Sequence, residues 1–289
     1  TSASGNVRQE IKLRRPPVVL MHGVWSDTTA WQRLENQLRQ HGFDICRGCR
    51  PDYSLHSAGS FDPTKYESID DRFVIEQLVS ATRRAREEMR AQQFAITQVD
   101  VVGHSMGGLV ARARVAYKNP KYPYLRKDNY DRGDFHKIIT VGTPHRGTPL
   151  ADWLINHKCD ILTIGPNRTI EYRFNNTAHQ PLGPAIYGFQ TSSEAIKNIG
   201  ATLVPAHAIV GIAPNTSDTE DNLNKVPGNS GSNPDHDNNR GTTIDGLLGN
   251  NGNHDTIVPT DSQRGGMSGE ATSEIRDIVH ADIELEAIT

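Results

Sequence analysis

An α/β fold built on a mostly parallel central sheet flanked by helices is predicted by three features of the chain. Residues Val99–Arg112, VDVVGHSMGGLVAR, begin as a β-branched run, meet a glycine-rich turn and continue as a helix-like stretch. Val18-Val19-Leu20-Met21 is a continuous apolar run, which suits a central strand buried on both faces. Two more such runs, His136–Val141 (HKIITV) and Ala206–Ile212 (AHAIVGI), follow the long helical pattern that begins at Ile69. The 289 residues suffice for one large α/β domain with insertions, so residues 1–289 read as a single domain.

Gly103-His104-Ser105-Met106-Gly107 is G-x-S-x-G between a strand and a helix. A turn that tight strains the serine backbone, and side chains two positions away on either side would collide. Gly103 and Gly107 must therefore lack a Cβ. Ser105 Oγ is lifted above the sheet edge, next to the first free N–H groups of the following helix, which suit an oxyanion. On these residues, GHSMGGLVAR resembles the nucleophile elbow of the α/β-hydrolases, in particular of lipases and esterases.

Upstream, residues 1–15 are polar and basic, an arm or an edge strand. The run 18–21 ends in His22-Gly23-Val24-Trp25, and an HG pair after an early strand is shared with lipases and esterases. The resemblance implies that the backbone N–H groups of Val24 and Met106 form the oxyanion hole, with Trp25 the alternative donor or a pocket wall. His22 reads as a structural histidine bracing that loop. A helix follows over Thr28–Gln40, capped by Asp27 and stopped at Gly42, and Phe43–Cys46 is a candidate strand. Ile69–Gln92 reads as a long helix with Phe73, Val74, Leu78, Ala81, Ala85 and Met89 on one face.

The three cysteines are Cys46, Cys49 and Cys159. Cys46-x-x-Cys49 lacks both a second ligand pair for zinc and a thioredoxin-like setting, which leaves a local disulfide or two free thiols.

After the strand at 136–141, TPHRGTP (residues 143–149) resembles the segment following that strand in bacterial lipases. His145 is not read as catalytic, because the order of the triad in this fold is Ser, acid, His. Residues 150–203 mix apolar clusters with polar turns and read as a lid or cap insertion, in which Trp153 is a candidate acyl-binding residue. Residues 213–254 form a long Asn/Gly-rich loop before the acid. Within it Asp235, Asp237 and Asn239 alternate oxygen ligands ahead of Gly241. The glycine comes one place late and position twelve is Gly246, so a solvated loop is expected and structural calcium is the alternative.

HDTIVP (residues 254–259) resembles the D-x-x-V-P segment that carries the triad acid, here Asp255. Asp245 and Asp261 are the competing acids. A late strand at Ile275–Val279 leads into His280, the one histidine after Asp255 and the expected base. The resemblance thus implies a cofactor-free serine hydrolase using Ser105, His280 and Asp255 on ester or lipid substrates, with transient contact at a lipid interface. Phospholipase, thioesterase and acyltransferase chemistry share this machinery, and a catalytically inactive hydrolase fold that binds a partner is the alternative of another class.

The net charge of −3, without dense Lys/Arg interleaved with aromatics, argues against a nucleic-acid partner. No apolar run is long enough to cross a bilayer, and TSASGNVRQE lacks the apolar segment of a signal peptide. Family habit and the Asn/Gly-rich, Lys-poor second half point to an extracellular or cell-envelope protein. Oligomeric state is not legible.

Overall fold

The computed structural model describes residues 11–24, 26–46, 48–53, 59–156, 161–164, 170–173, 183–201, 203–213, 253–255, 257–265, 267, 271–278 and 280. Its strands are β1 (Val18–Met21), β2 (Val99–His104), β3 (Phe135–Val141), β4 (Ile161–Ile164), β5 (Ile170–Arg173), β6 (Ala206–Ile212) and β7 (Thr272–Arg276). Its α-helices are α1 (Gln32–Gln40), α2 (Ile69–Ala91), α3 (Met106–Ala116), α4 (Pro149–Asn156), α5 (Pro184–Gly188), α6 (Glu194–Ile199) and α7 (Thr260–Arg264). Five strands form one sheet in the order β1-β2-β3-β6-β7, and every neighbouring pair is parallel. β4 and β5 form a separate antiparallel pair.

Every residue of β1 and β2 is buried. β2 lies inside the sheet, whereas β1, expected from its apolar run to be central, ends the described sheet, and the backbone at Asp44 and Cys49 covers its outer edge. β7, at the edge, carries exposed residues. α2 presents Val74, Leu78, Ala81, Ala85 and Met89 to the core, a stripe spaced three and four residues apart, while Phe73 packs at its margin. α3 is buried almost all round. It is packed against β1, β2 and β3 on one side and against α2 and α6 on the other.

Some boundaries differ from the sequence expectation. Thr28–Trp31 is a 3-10 turn, capped by Asp27, before α1 starts at Gln32. Phe43–Cys46 is not a strand. Its chain nevertheless covers the outer edge of β1, where Val18 N–H donates to the Asp44 carbonyl and Leu20 N–H to that of Cys49, both at 2.8 Å. Between these acceptors, a Cys46–Cys49 disulfide closes a tight bend, with Cα atoms 5.0 Å apart, and interrupts strand geometry. β7 begins at Thr272, ahead of the expected Ile275.

The stretch 150–203 contains α4, the β4–β5 pair, α5 and α6, and its residues 157–160, 165–169, 174–182 and 202 lie outside the described residues. Its later part is tied to the body. Phe189 stacks on Phe61 at 5.3 Å, and Asn198 Nδ2 donates to buried Asp62 at 3.2 Å. Most of the polar loop 213–254, including the calcium candidates Asp235, Asp237 and Asn239, also lies outside the described residues, as does Cys159. Among the described residues no helix is long and apolar enough to cross a membrane.

Candidate active site

Every candidate residue in the described chain that belongs to the expected machinery follows the carboxyl end of a parallel strand. Val24 comes after β1 and Ser105 directly after β2. Asp255 and His280 reach the same end by backbone pairing beyond the strands. Ala213 N–H donates to the His254 carbonyl at 2.7 Å, just past β6, and Ile278 N–H donates to the Ile212 carbonyl at 3.1 Å, just past β7. His280 N–H then donates to the Asp255 carbonyl at 2.7 Å. The crevice outside the carboxyl ends of a parallel sheet is the usual ligand position of open α/β folds.

Ser105 lies at φ 51°, ψ −121°, a left-handed conformation rare for a residue with a Cβ. Such strain costs about 1–3 kcal/mol and persists only where its surroundings enforce it. Here two glycines do so. A Cβ on Gly107 would overlap the Met21 carbonyl, and one on Gly103 would overlap the backbone of Gly107 and Gly108. The turn therefore closes only with hydrogen at both positions. Met106 is the first residue of α3, where N–H groups have no partner within the helix.

The loop after β1 touches the serine: the position of a Cβ on Gly23 lies 3.0 Å from Ser105 Cβ and 3.6 Å from its Oγ. This puts Gly23, the residue before Val24, beside the serine. Tyr53 holds that loop from behind. Its ring stacks on His22 at 3.7 Å, and its hydroxyl donates to the His22 carbonyl. His22 Nδ1 lies 2.9 Å from the Gly23 carbonyl, which can only accept, so Nδ1 carries the proton. His22 and Tyr53 are both fully buried.

Asp255 is completely buried. Its Oδ1 accepts from the N–H groups of Ile257 (3.1 Å) and Val258 (2.8 Å), and its Oδ2 faces His280 Nδ1 at 2.7 Å. Backbone amides thus satisfy one oxygen and the imidazole satisfies the other, which is what a buried carboxylate requires. No hydrogen bond joins Ser105 to His280 among the described residues. Such bonds are often long before substrate is bound.

His145 sits apart from this group. It is buried between Arg112, whose Nη1 is 2.8 Å from Nδ1, and Thr140, whose Oγ1 is 3.0 Å from Nε2. Burial first, and the Arg112 charge second, push its pKa well below the ordinary value. A guanidinium only donates, so Nδ1 accepts and Nε2 carries the proton. Trp153 lies on α4, buried in the core. Trp25 and Asp245 lie outside the described residues, and Asp261 is an exposed residue of α7 beside Arg264 at 3.5 Å.

Two contributors carry no motif-level signal. Gln263, fully buried on α7, bonds both backbone groups of Gly211 (2.7 and 3.0 Å) and the Val258 carbonyl (2.9 Å), fastening the loop of Asp255 to β6. His104, between Gly103 and Ser105, reaches the His280 carbonyl with Nε2 at 3.0 Å.

The parallel sheet with the serine turn after its second strand is an α/β-hydrolase-type fold, and part of the sequence is similar to lipases. A family model described as a PGAP1-like alpha/beta domain matches residues 63–169. Over 56 residues, 19% of this chain and 5% of the relative, the sequence is 41% identical to a GPI inositol-deacylase of Mus musculus. Over 148 residues, 48% of this chain, it is 27% identical to a triacylglycerol lipase of Pseudarthrobacter phenanthrenivorans, and that match spans 36% of the lipase. The mature-form lipase of Bacillus licheniformis superposes with a TM-score of 0.47 at 16% identity, over 96% of this chain and 89% of that one.

Proposed function

We propose that the chain is a serine hydrolase that cleaves carboxylic esters of lipids or acylated substrates through Ser105, His280 and Asp255. The observation that carries the reading is the buried Asp255–His280 pair, 2.7 Å from Oδ2 to Nδ1, at the same sheet end as a serine in strained elbow geometry. Asp255 would hold the imidazole with its proton on Nδ1, leaving Nε2 free to accept the Ser105 proton. Ser105 Oγ would then add to the ester carbonyl, and the oxyanion would meet the N–H groups of Met106 and Val24. One such donor is typically worth about 3–4 kcal/mol in the transition state. His280 would return the proton to the leaving alkoxide, giving an acyl-enzyme and an alcohol. Water, deprotonated by His280, would cleave the acyl-enzyme to release the carboxylic acid and restore Ser105.

A second substrate reading, an acyl group esterified to inositol, is favoured by the 41% identity to the GPI inositol-deacylase segment. It uses the same residues and differs only in the alcohol released.

The test is hydrolysis of p-nitrophenyl esters from acetate to palmitate. Wild type should be active, Ser105→Ala should lose activity, and Asp255→Asn should lose about 10⁴-fold in kcat, as in other triads. Unchanged activity in Ser105→Ala would sink the reading. The chain-length optimum separates short-chain esterase from lipase. An acyl-inositol substrate offered in parallel tests the second reading.

A further inference from the structure

We propose that His104 is a positioning residue that locks the base to the nucleophile's own turn, a role that rests on the hydrolase reading above. His280 is held at three atoms. Its N–H and its Nδ1 both bond Asp255, each at 2.7 Å, and its carbonyl lies 3.0 Å from His104 Nε2. A carbonyl has no proton to give, so His104 carries its own on Nε2 and donates. The two rings lie 4.7 Å apart at 43°, and both residues are only 5% exposed.

The two anchors on Asp255 fix His280 to the Asp255 loop. The third anchor is of a different kind. His104 is the last residue of β2 and precedes Ser105 in the chain, so its hydrogen bond refers the base to the rigid strand that presents the nucleophile. Ser105 and His280 share no direct hydrogen bond in the structure, and this contact and the Gly142 turn are the ones that join the base to the strand ends nearest the serine. A Cβ on Gly142 would stand 3.1 Å from Asp255 Oδ2 and 3.2 Å from His280 Nδ1, so the pair is packed directly on the end of β3. Proton transfer from serine to imidazole depends on sub-ångström placement, and a displacement of about 1 Å can cost about 10²-fold.

The requirement on position 104 is therefore a side chain that donates across about 3 Å to a carbonyl, within a space that holds an imidazole. Gln meets it through its amide N–H₂. Phe fills the space without a donor.

The wild-type chain, His104→Gln and His104→Phe are compared for kcat and KM on p-nitrophenyl butyrate. The far-downfield Nδ1 proton of His280 is followed by ¹H NMR, with Asp255→Asn as the control that removes it. We expect His104→Phe to lose about tenfold to hundredfold in kcat with KM within about twofold. Its Nδ1 resonance should broaden or vanish, and His104→Gln should restore both. A His104→Phe enzyme that keeps wild-type kcat and resonance overturns the proposal. So does a His104→Gln enzyme as impaired as His104→Phe with the resonance intact in each, since loss of packing alone would explain it. Wild type inert to the ester and to a fluorophosphonate would overturn the hydrolase reading itself, a separate outcome from an active enzyme indifferent to position 104.

Discussion

At His145, burial and the Arg112 guanidinium both oppose protonation, and the imidazole is held neutral. Its folded pKa lies below the unfolded value near 6.5, so below that pH the unfolded chain binds a proton that the native chain refuses. Stability contributed by this group is complete above about pH 6.5 and falls as pH drops, by about 1.4 kcal/mol per pH unit until the native imidazole titrates. Urea denaturation at pH 7.5 and 5.5 should therefore show a shallower loss for His145→Gln than for wild type, and equal losses would contradict this. Gly107 tests a steric requirement. Because a Cβ there meets backbone and not a flexible side chain, Gly107→Ala should abolish the elbow geometry, seen as loss of both ester hydrolysis and soluble yield. The glycines and Ser105 were legible in the sequence because their constraint is local, set by one turn of backbone. His104 was not, since its partner is 176 residues away and no neighbouring residue reports it.

The same division holds among the elements. Strands β1, β2, β3 and β6 were legible as apolar runs, and α2 as a stripe over more than four turns. The short elements α5, α6 and α7, of five or six residues each, offer less than two helical turns of pattern, too little to separate from loop. The segment Phe43–Cys46 misled because its apolar residues pack on the core while its backbone leads into the Cys46–Cys49 disulfide. Where β3 starts, Asp134 joins three elements by pairing with Arg86 of α2, Arg114 of α3 and Arg126. Burial pushes this carboxyl upward, but Arg126, Arg114 and Arg86 outweigh it and hold it below the usual carboxylate range. Asp134→Asn leaves three guanidiniums around a neutral group, with Arg86 and Arg114 buried. Removing one partner of a buried pair costs about 3–5 kcal/mol, so the variant's chemical denaturation midpoint should fall accordingly. A loss below about 1 kcal/mol would mean that the network is screened, as surface pairs are.

For the whole molecule, the parallel sheet gathers the carboxyl ends of its strands at one edge, and the four loops that matter leave from there. The sequence carries each loop's local signature, HG, GHSMG and D-x-x-V-P, and the late histidine by its order in the chain. What no local pattern carries is the bracing between loops. Tyr53 reaches His22 across 31 residues, Gln263 reaches Gly211 across 52, and His104 reaches His280. These contacts exist only once the sheet has formed. The central claim, that this assembly makes Ser105 a nucleophile, is tested most directly by reacting the protein with a fluorophosphonate and reading the intact mass, then mapping the modified peptide. One stoichiometric adduct on Ser105 is expected, absent from Ser105→Ala and slowed in Asp255→Asn. No adduct, or an adduct that survives Ser105→Ala, would contradict it.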